Sequence, residues 1–206
     1  MLKVLALDVS SKTGWAVIEG EQSGQTYLGG CGVIKLGKTI DQCGAYPWSY
    51  VFAAQDMASK IKELVERIKP EVIVIEETNK GKNRYSQKFL EFTHIKILES
   101  LGTSVPLFYV NSSAWRKTLG IELTKADRKN NSKISTAKKI SRNTGEGVHK
   151  VKKALGVRGR IGKKHLAVRF VNETYELQLK QKDNDTADAI CLGTAYLRGS
   201  PVCDGK

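Results

Sequence analysis

Histidine and cysteine are scarce in this chain. Three histidines stand among 206 residues, and no Ser-His-Asp or Cys-His catalytic set is visible. The four cysteines, Cys31, Cys43, Cys191 and Cys203, include no CxxC pair. With so few histidines to assist, that spacing argues against a structural zinc. The cysteines read as reduced thiols of an intracellular, soluble protein. No apolar run approaches the ~20 residues that cross a bilayer. The opening run Leu2 to Leu7 is interrupted by Asp8, too early for the core of a signal peptide, so it reads as a buried strand. Four prolines leave no Pro-rich linker, and there is no internal repeat. The expectation is one domain over 1–206, large enough to bury a real core.

Acid is also in short supply. Lys and Arg number 34 against 21 Asp and Glu, a formal charge of +13. The imbalance is local: residues 125–164 hold fourteen cations and two acids, Asp127 and Glu146, a net +12. Such concentration favours a polyanionic partner over an ordinary solvated face, because Lys and Arg at phosphates release condensed counterions. Charge alone does not separate DNA from RNA, or an enzyme from a binder.

Hydrophobic patterning places the elements. Residues 2–9, 15–18 and 26–36 read as three strands, with Gly29, Gly30 and Gly32 marking a bulge or an edge in the third. A helix over 49–69 carries Met57, Ile61, Leu64, Val65 and Ile68 at helical spacing and ends at Pro70. A strand over 71–76, a polar loop over 78–84, a helix over 85–101 and a short strand over 105–110 follow. Asn111, Ser112 or Ser113 caps a short helix ending near Gly120. Thr124, with Asp127 at capping-box distance, starts a basic helix. Residues 141–162, rich in glycine and cations, read as a mobile loop that orders on a ligand. Residues 163–179 stay ambiguous between helix and strand. A last helix covers about 184–198. The order βββαβαβα predicts an α/β domain with a mixed central sheet, plus a basic insertion over about 121–182.

Acids then stand where a core would not choose them. Asp8 follows Val4-Leu5-Ala6-Leu7, and Glu76 follows Val72-Ile73-Val74-Ile75. A carboxylate in such a place is costly unless paired or metal-bound. Asp185 and Asp188 share one face at the start of an apolar helix. Taken singly, each acid reads equally well as a strand exit or a dipole-complementing residue. Glu77 and Asp183 read as ordinary solvated acids. Three such sites in one strongly basic chain change the odds. Hard cations such as Mg2+ and Mn2+ prefer oxygen ligands. Two of them, roughly 3.5–4 Å apart, activate a water and stabilise a leaving phosphodiester oxygen.

These segments resemble the RuvC-type Holliday junction resolvases of the RNase H-like superfamily. The resemblance rests on Asp8 with Thr13-Gly14-Trp15-Ala16-Val17, on 70–76 ending in Glu76, and on Asp185-Thr186-Ala187-Asp188-Ala189, in that order. It covers about 1–120 and 183–197. It implies an RNase H-like fold with a mixed sheet flanked by helices. It also implies two Mg2+ per active site, with Mn2+ able to substitute. Asp8 would bridge both ions, Glu76 would ligate one, and Asp185 and Asp188 would complete the second site. The implied product has a 5′ phosphate and a 3′ hydroxyl. The implied partners are branched DNA, above all a four-way junction, and a second copy in a homodimer, with no membrane. The chain departs from the family in Val9-Ser10-Ser11, which lacks the usual Pro-Gly. Asn79 stands where bacterial members carry an aromatic, and Tyr85 is the nearest ring.

Lys80, Lys82, Asn83 and Arg84 after Glu76, and Lys150, Lys152, Lys153, Arg158, Arg160, Lys163 and Lys164 in the basic segment, are the expected nucleic-acid contacts. His94 reads as packing, Trp15 and Trp115 as core, and Trp48 as part of a loop. Three other functions remain open from sequence alone. One is a nuclease of RNA–DNA hybrid or structured RNA on the same fold. A second is a non-catalytic nucleic-acid binder. The last, a structural RNA- or ribosome-binding protein, is suggested by charge only.

Overall fold

The computed structural model describes residues 1–21, 24–78, 84–157 and 159–202. Strands β1 (Leu2–Asp8), β2 (Lys12–Gly20) and β3 (Thr26–Lys35) form an antiparallel meander. β4 (Val72–Glu76) and β5 (Leu107–Val110) run parallel to β1, giving the order β3-β2-β1-β4-β5. The sheet is therefore mixed, with β1 at its centre. The glycine-rich β3 lies at an edge. The register slips between Val17 and Ile18, whose partners Gly30 and Leu28 leave Gly29 as the extra residue. That is the bulge its glycines foretell.

Helices cover both faces, which explains why β1 and β4 are apolar throughout rather than alternating. Leu5, Leu7, Ile73 and Ile75 pack against Met57, Ile61 and Leu64 of α1 (Trp48–Ile68) and Ile97 of α2 (Arg84–Leu101). Val4, Ala6, Val72 and Val74 face the opposite layer. That layer holds α3 (Ser112–Thr118), α6 (Lys163–Tyr175) and α7 (Asn184–Leu197). Each large aliphatic side chain buried this way contributes about 1.5–3 kcal/mol. Trp48 opens α1 instead of lying in a loop, and its exposed ring stacks on Phe52. Trp115 is fully buried in the core, as expected.

Helix α7 lies unusually close to the sheet, and two glycines permit it. A Cβ on Gly14 would stand 2.0 Å from the Asp185 carbonyl oxygen, and one on Gly193 would stand 2.7 Å from Ile18 Cγ1. Gly14 is also the cross-strand partner of Asp8. The absence of one side chain thus sets the start of α7 beside the end of β1.

The basic segment is more ordered than its composition suggests. Helix α4 (Lys125–Thr144) opens on the Thr124–Asp127 capping box and ends at Gly145 in the left-handed region (φ 71°). Helix α5 (Val148–Ala154) follows. Of the 141–162 stretch expected as a loop, 141–144 complete α4 and 148–154 form α5, and 163–179 resolves as the helix α6 followed by an irregular stretch. The reason is a sparse apolar stripe, Ile134, Ala137 and Val151, buried beneath a surface of cations. Polar clips assist it. Arg169 of α6 grips both Asp127 carboxylate oxygens at 2.9 and 3.0 Å. The Asn131 side chain accepts from the Ile161 N–H and donates to its carbonyl. Among the described residues, no helix is long and apolar enough to cross a membrane. Cys31, Cys43 and Cys191 are free thiols; Cys203 lies outside the described residues.

Candidate active site

Asp8 and Glu76 are the last residues of the parallel neighbours β1 and β4. Leu7 pairs with Ile75, so the two acids emerge side by side at the carboxyl edge of the sheet. The helix α7 delivers Asp185 and Asp188 from the adjoining layer, at the point where Gly14 lets it touch β2. The four acids sense one another electrostatically. Burial, then the charges of Glu76, Asp188 and Asp185, push Asp8 up to about 8. Burial also raises Asp188 to about 7, against the pull of Arg116. Glu76 is raised by burial and restrained by a hydrogen bond from Trp115.

Cations and donors ring this cluster. Lys12 Nζ stands 2.9 Å from Asp185 Oδ2, and Lys164 Nζ stands 3.8 Å from Oδ1. The Asn184 amide donates to Asp185 as well. Trp115 Nε1 donates to Glu76 Oε2 at 3.0 Å. Arg116 lies 3.7 Å from Asp188 Oδ1, stacks 4.0 Å above the Trp115 ring, and donates from one terminal nitrogen to the Ser112 carbonyl at 2.8 Å. The arrangement positions α3 as a support for two of the four acids.

The residues fit a hard divalent cation. Asp188 is 6% exposed, and its Oδ1 has no hydrogen-bond donor, an expensive state for a buried oxygen. All the candidate donors are carboxylate oxygens, and a bound dication would offset both the burial and the mutual repulsion that raise Asp8 and Asp188. Among the described residues no three acids, histidines or cysteines already form a metal-ligating group. Three of the four acids are turned instead onto Lys12, Lys164, Arg116 or Trp115.

The expected nucleic-acid contacts that the structure describes fall in four places. Lys80, Lys82, Asn83 and Arg158, with Asn79, lie outside the described residues. Arg84 is exposed at the start of α2, and Arg160 is exposed between α5 and α6. Lys150, Lys152 and Lys153 line a shallow pocket on α5 with His149. Lys150 also pairs with Glu146 at 3.2 Å. Lys163 and Lys164, at the start of α6, are drawn to the acids: both charges act on Glu76, and that of Lys164 on Asp8 and Asp188.

Three participants were not legible in sequence: Lys12, the Trp115 indole N–H and Arg116. None sits in a periodic pattern that marks a site. Trp115 reads as core, and it is, yet its single polar atom faces Glu76. Glu77 is not simply solvated; it accepts from Asn111, the N-cap of α3, at 2.8 Å. His94 packs as expected: its Nδ1 meets the Tyr109 hydroxyl at 3.1 Å, and burial lowers it to about 4.

No protein-family sequence model and no curated relative matches the chain. Solved structures do. RuvC of Thermus thermophilus in complex with a Holliday junction substrate is similar at TM-score 0.59 and 12% identity, over 95% of this chain and 92% of that one. Another structure of Thermus thermophilus RuvC gives 0.57 and 14%, over 95% and 93%. The yeast mitochondrial Holliday junction resolvase Ydc2 gives 0.51 and 12%, over 96% and 78%. The chain has the fold of the RuvC-like resolvases, within the RNase H-like architecture.

Proposed function

We propose that this protein is a divalent-metal-dependent endonuclease that cuts branched DNA, acting as a homodimer on four-way junctions. The observation that carries this is the carboxylate cluster of Asp8, Glu76, Asp185 and Asp188 at the carboxyl edge of β1 and β4, with its raised Asp8 and a buried Asp188 oxygen that receives no hydrogen bond. Such a cluster is unfavourable in a folded protein unless it serves a cation. The four carboxylates would hold Mg2+, or Mn2+ in its place, and the metal supplies an activated water and charge neutralisation at the leaving oxygen.

The remaining work falls to the chain. Trp115 fixes the rotamer of Glu76, and Arg116 sets Asp188. Lys12 and Lys164 now compensate Asp185; a phosphodiester entering the site would offer them a competing anion and orient against them. The exposed cations of α4 and α5 draw in the flanking arms and offset the repulsion between DNA and the acidic centre. Hydrolysis breaks the P–O3′ bond and leaves a 5′ phosphate and a 3′ hydroxyl. Exposed Phe52 on α1, and Ile95 and Leu98 on α2, suit burial against a second copy. Two sites related by a two-fold axis match two opposed strands of a junction.

The test is cleavage of an immobile four-way junction in Mg2+, beside linear duplex and RNA–DNA hybrid, with Asp8→Asn as control. Paired nicks on the junction that vanish in the variant are expected. Hybrid cleavage in preference to junction cleavage would overturn the substrate. Tight binding with no cleavage of any substrate would overturn the enzyme.

A further inference from the structure

Helices α4 and α5 stand apart from the core that holds the sheet. Ile134 and Ala137 of α4 and Val151 of α5 are buried, yet none belongs to the apolar clusters on the two faces of the sheet. Among the described residues, α4 packs broadly on α5 and not on α6 or α7. What ties this helix pair to the rest of the chain is polar. Asn130 donates to the Gly159 carbonyl at 2.9 Å, and Asn131 bonds Ile161 through both of its amide atoms. Those partners lie in the segment leading from α5 to α6. The tie to α6 itself is the fork of Arg169 on Asp127, at 2.9 and 3.0 Å. Asp127 is 5% exposed and also accepts from the Thr124 N–H at 3.1 Å, so the fork grips the first turn of α4. Helix α6 is in turn fixed. Its Ala167, Val168 and Val171 lie in the core, and its first turn puts Lys164 3.8 Å from Asp185. One helix thus holds both the basic pair and a cation of the acid cluster.

We propose that the Asp127–Arg169 pair sets the angle at which α4 and α5 leave the sheet, and that this fixed angle makes the chain prefer branched DNA to linear DNA. The proposal rests on the branched-DNA reading above and deepens it by naming a positioning pair for substrate choice. Attraction by cations alone does not select a branch, because every duplex presents the same charge density. Selection needs the cations held at a set direction from the acids. Two parallel N–H···O bonds from a planar guanidinium fix orientation as well as distance, which a lysine ammonium does not. The 20 residues of α4 make a lever about 30 Å long at roughly 1.5 Å per residue. A tilt of about 10° at the fork would carry the exposed Lys138, Lys139 and Arg142 about 5 Å, close to the ~6 Å width of a minor groove. A linear duplex follows such a tilt by turning as one rod. A junction with its branch point at the carboxylates does not, because its other arms hold it in place.

The test is fluorescence anisotropy with a four-way junction and a linear duplex of one of its arms, without divalent metal so that both DNAs stay intact. Arg169→Met keeps the apolar stem and loses the fork. It should weaken junction binding roughly tenfold and leave duplex binding within about twofold. Asp127→Asn keeps an acceptor for the Thr124 N–H, and so the helix cap, while removing the charge; it should lose the same preference. Arg169→Lys, which keeps the charge without the fork, should restore part of it. The salt slope on linear duplex should match wild type in all three, because no cation that meets phosphate has been removed. Equal weakening on both DNAs, a junction preference in Arg169→Met and Asp127→Asn as large as in wild type, or a wild type that does not prefer the junction would each overturn the proposal. Cutting of the same junction in Mg2+, measured in parallel, reports separately on the nuclease reading.

Discussion

Replacing Asp8 by Asn should stabilise the metal-free protein while abolishing its chemistry. Asp8 is raised from 3.8 to about 8, so between those values the folded chain holds a proton that the unfolded chain has released. Its contribution to stability is complete below pH 3.8 and is lost as pH rises through about 8. Asp188, raised to about 7, acts in the same direction. His94 acts oppositely: its lowered value gives stability that is present above 6.5 and lost as pH falls toward about 4. The clean window is therefore pH 6.5 to 8.5. Across it Asp8 spends about 1.5 units still protonated in the folded state, or about 2 kcal/mol at roughly 1.4 kcal/mol per unit. The full shift of about 4 units sets a ceiling near 6 kcal/mol for the strain at pH 8.5. Neighbouring acids share that strain by taking up protons themselves. The expected gain for Asp8→Asn at pH 8.5 in EDTA is about 2 kcal/mol, a rise of roughly 4–8 °C in Tm for a chain of this length. Thermal and urea unfolding at pH 6.5 and 8.5 provide the measurement. Added Mg2+ should stabilise wild type, more so at the higher pH, and the variant much less. A wild type whose metal-free stability holds or rises from pH 6.5 to 8.5 would refute the reasoning, as would an Asn variant no more stable than its parent.

Gly14→Ala should place a Cβ against the Asp185 backbone carbonyl, which has no flexible end to yield. A loss of about 1–3 kcal/mol in urea unfolding and more than a tenfold fall in cleavage are expected. Trp115→Phe keeps the ring packing but removes the donor to Glu76. Cutting should slow at least tenfold with junction affinity unchanged, read as kcat against KM; an equal loss in a stability assay and none in kcat would sink the positioning role. Neutralising Lys150, Lys152 and Lys153 should flatten the salt dependence of junction binding by about 0.9 in log–log slope for each phosphate these lysines neutralise. An unchanged slope means that α5 does not meet the backbone.

Much of this architecture could be read segment by segment. Asp8 and Glu76 announce themselves because each ends a run that a two-sided sheet requires to be apolar. Asp185 and Asp188 share a face because helical spacing puts them there. Asn111 and Thr124 cap helices by contacts that span two or three residues. All of this is local, and periodicity encodes it. The basic segment misleads for a local reason too: so few apolar positions among so many cations hide the stripe that folds it. The rest depends on packing between distant segments. Lys12 meets Asp185, Trp115 meets Glu76 and Arg116 meets Asp188 across separations of 173, 39 and 72 residues. Only the order of the strands and the seating of α7 on Gly14 bring these partners together. The acids were determined by sequence pattern; their counter-charges were decided by tertiary structure, because no period within a segment records what another segment will lay against it.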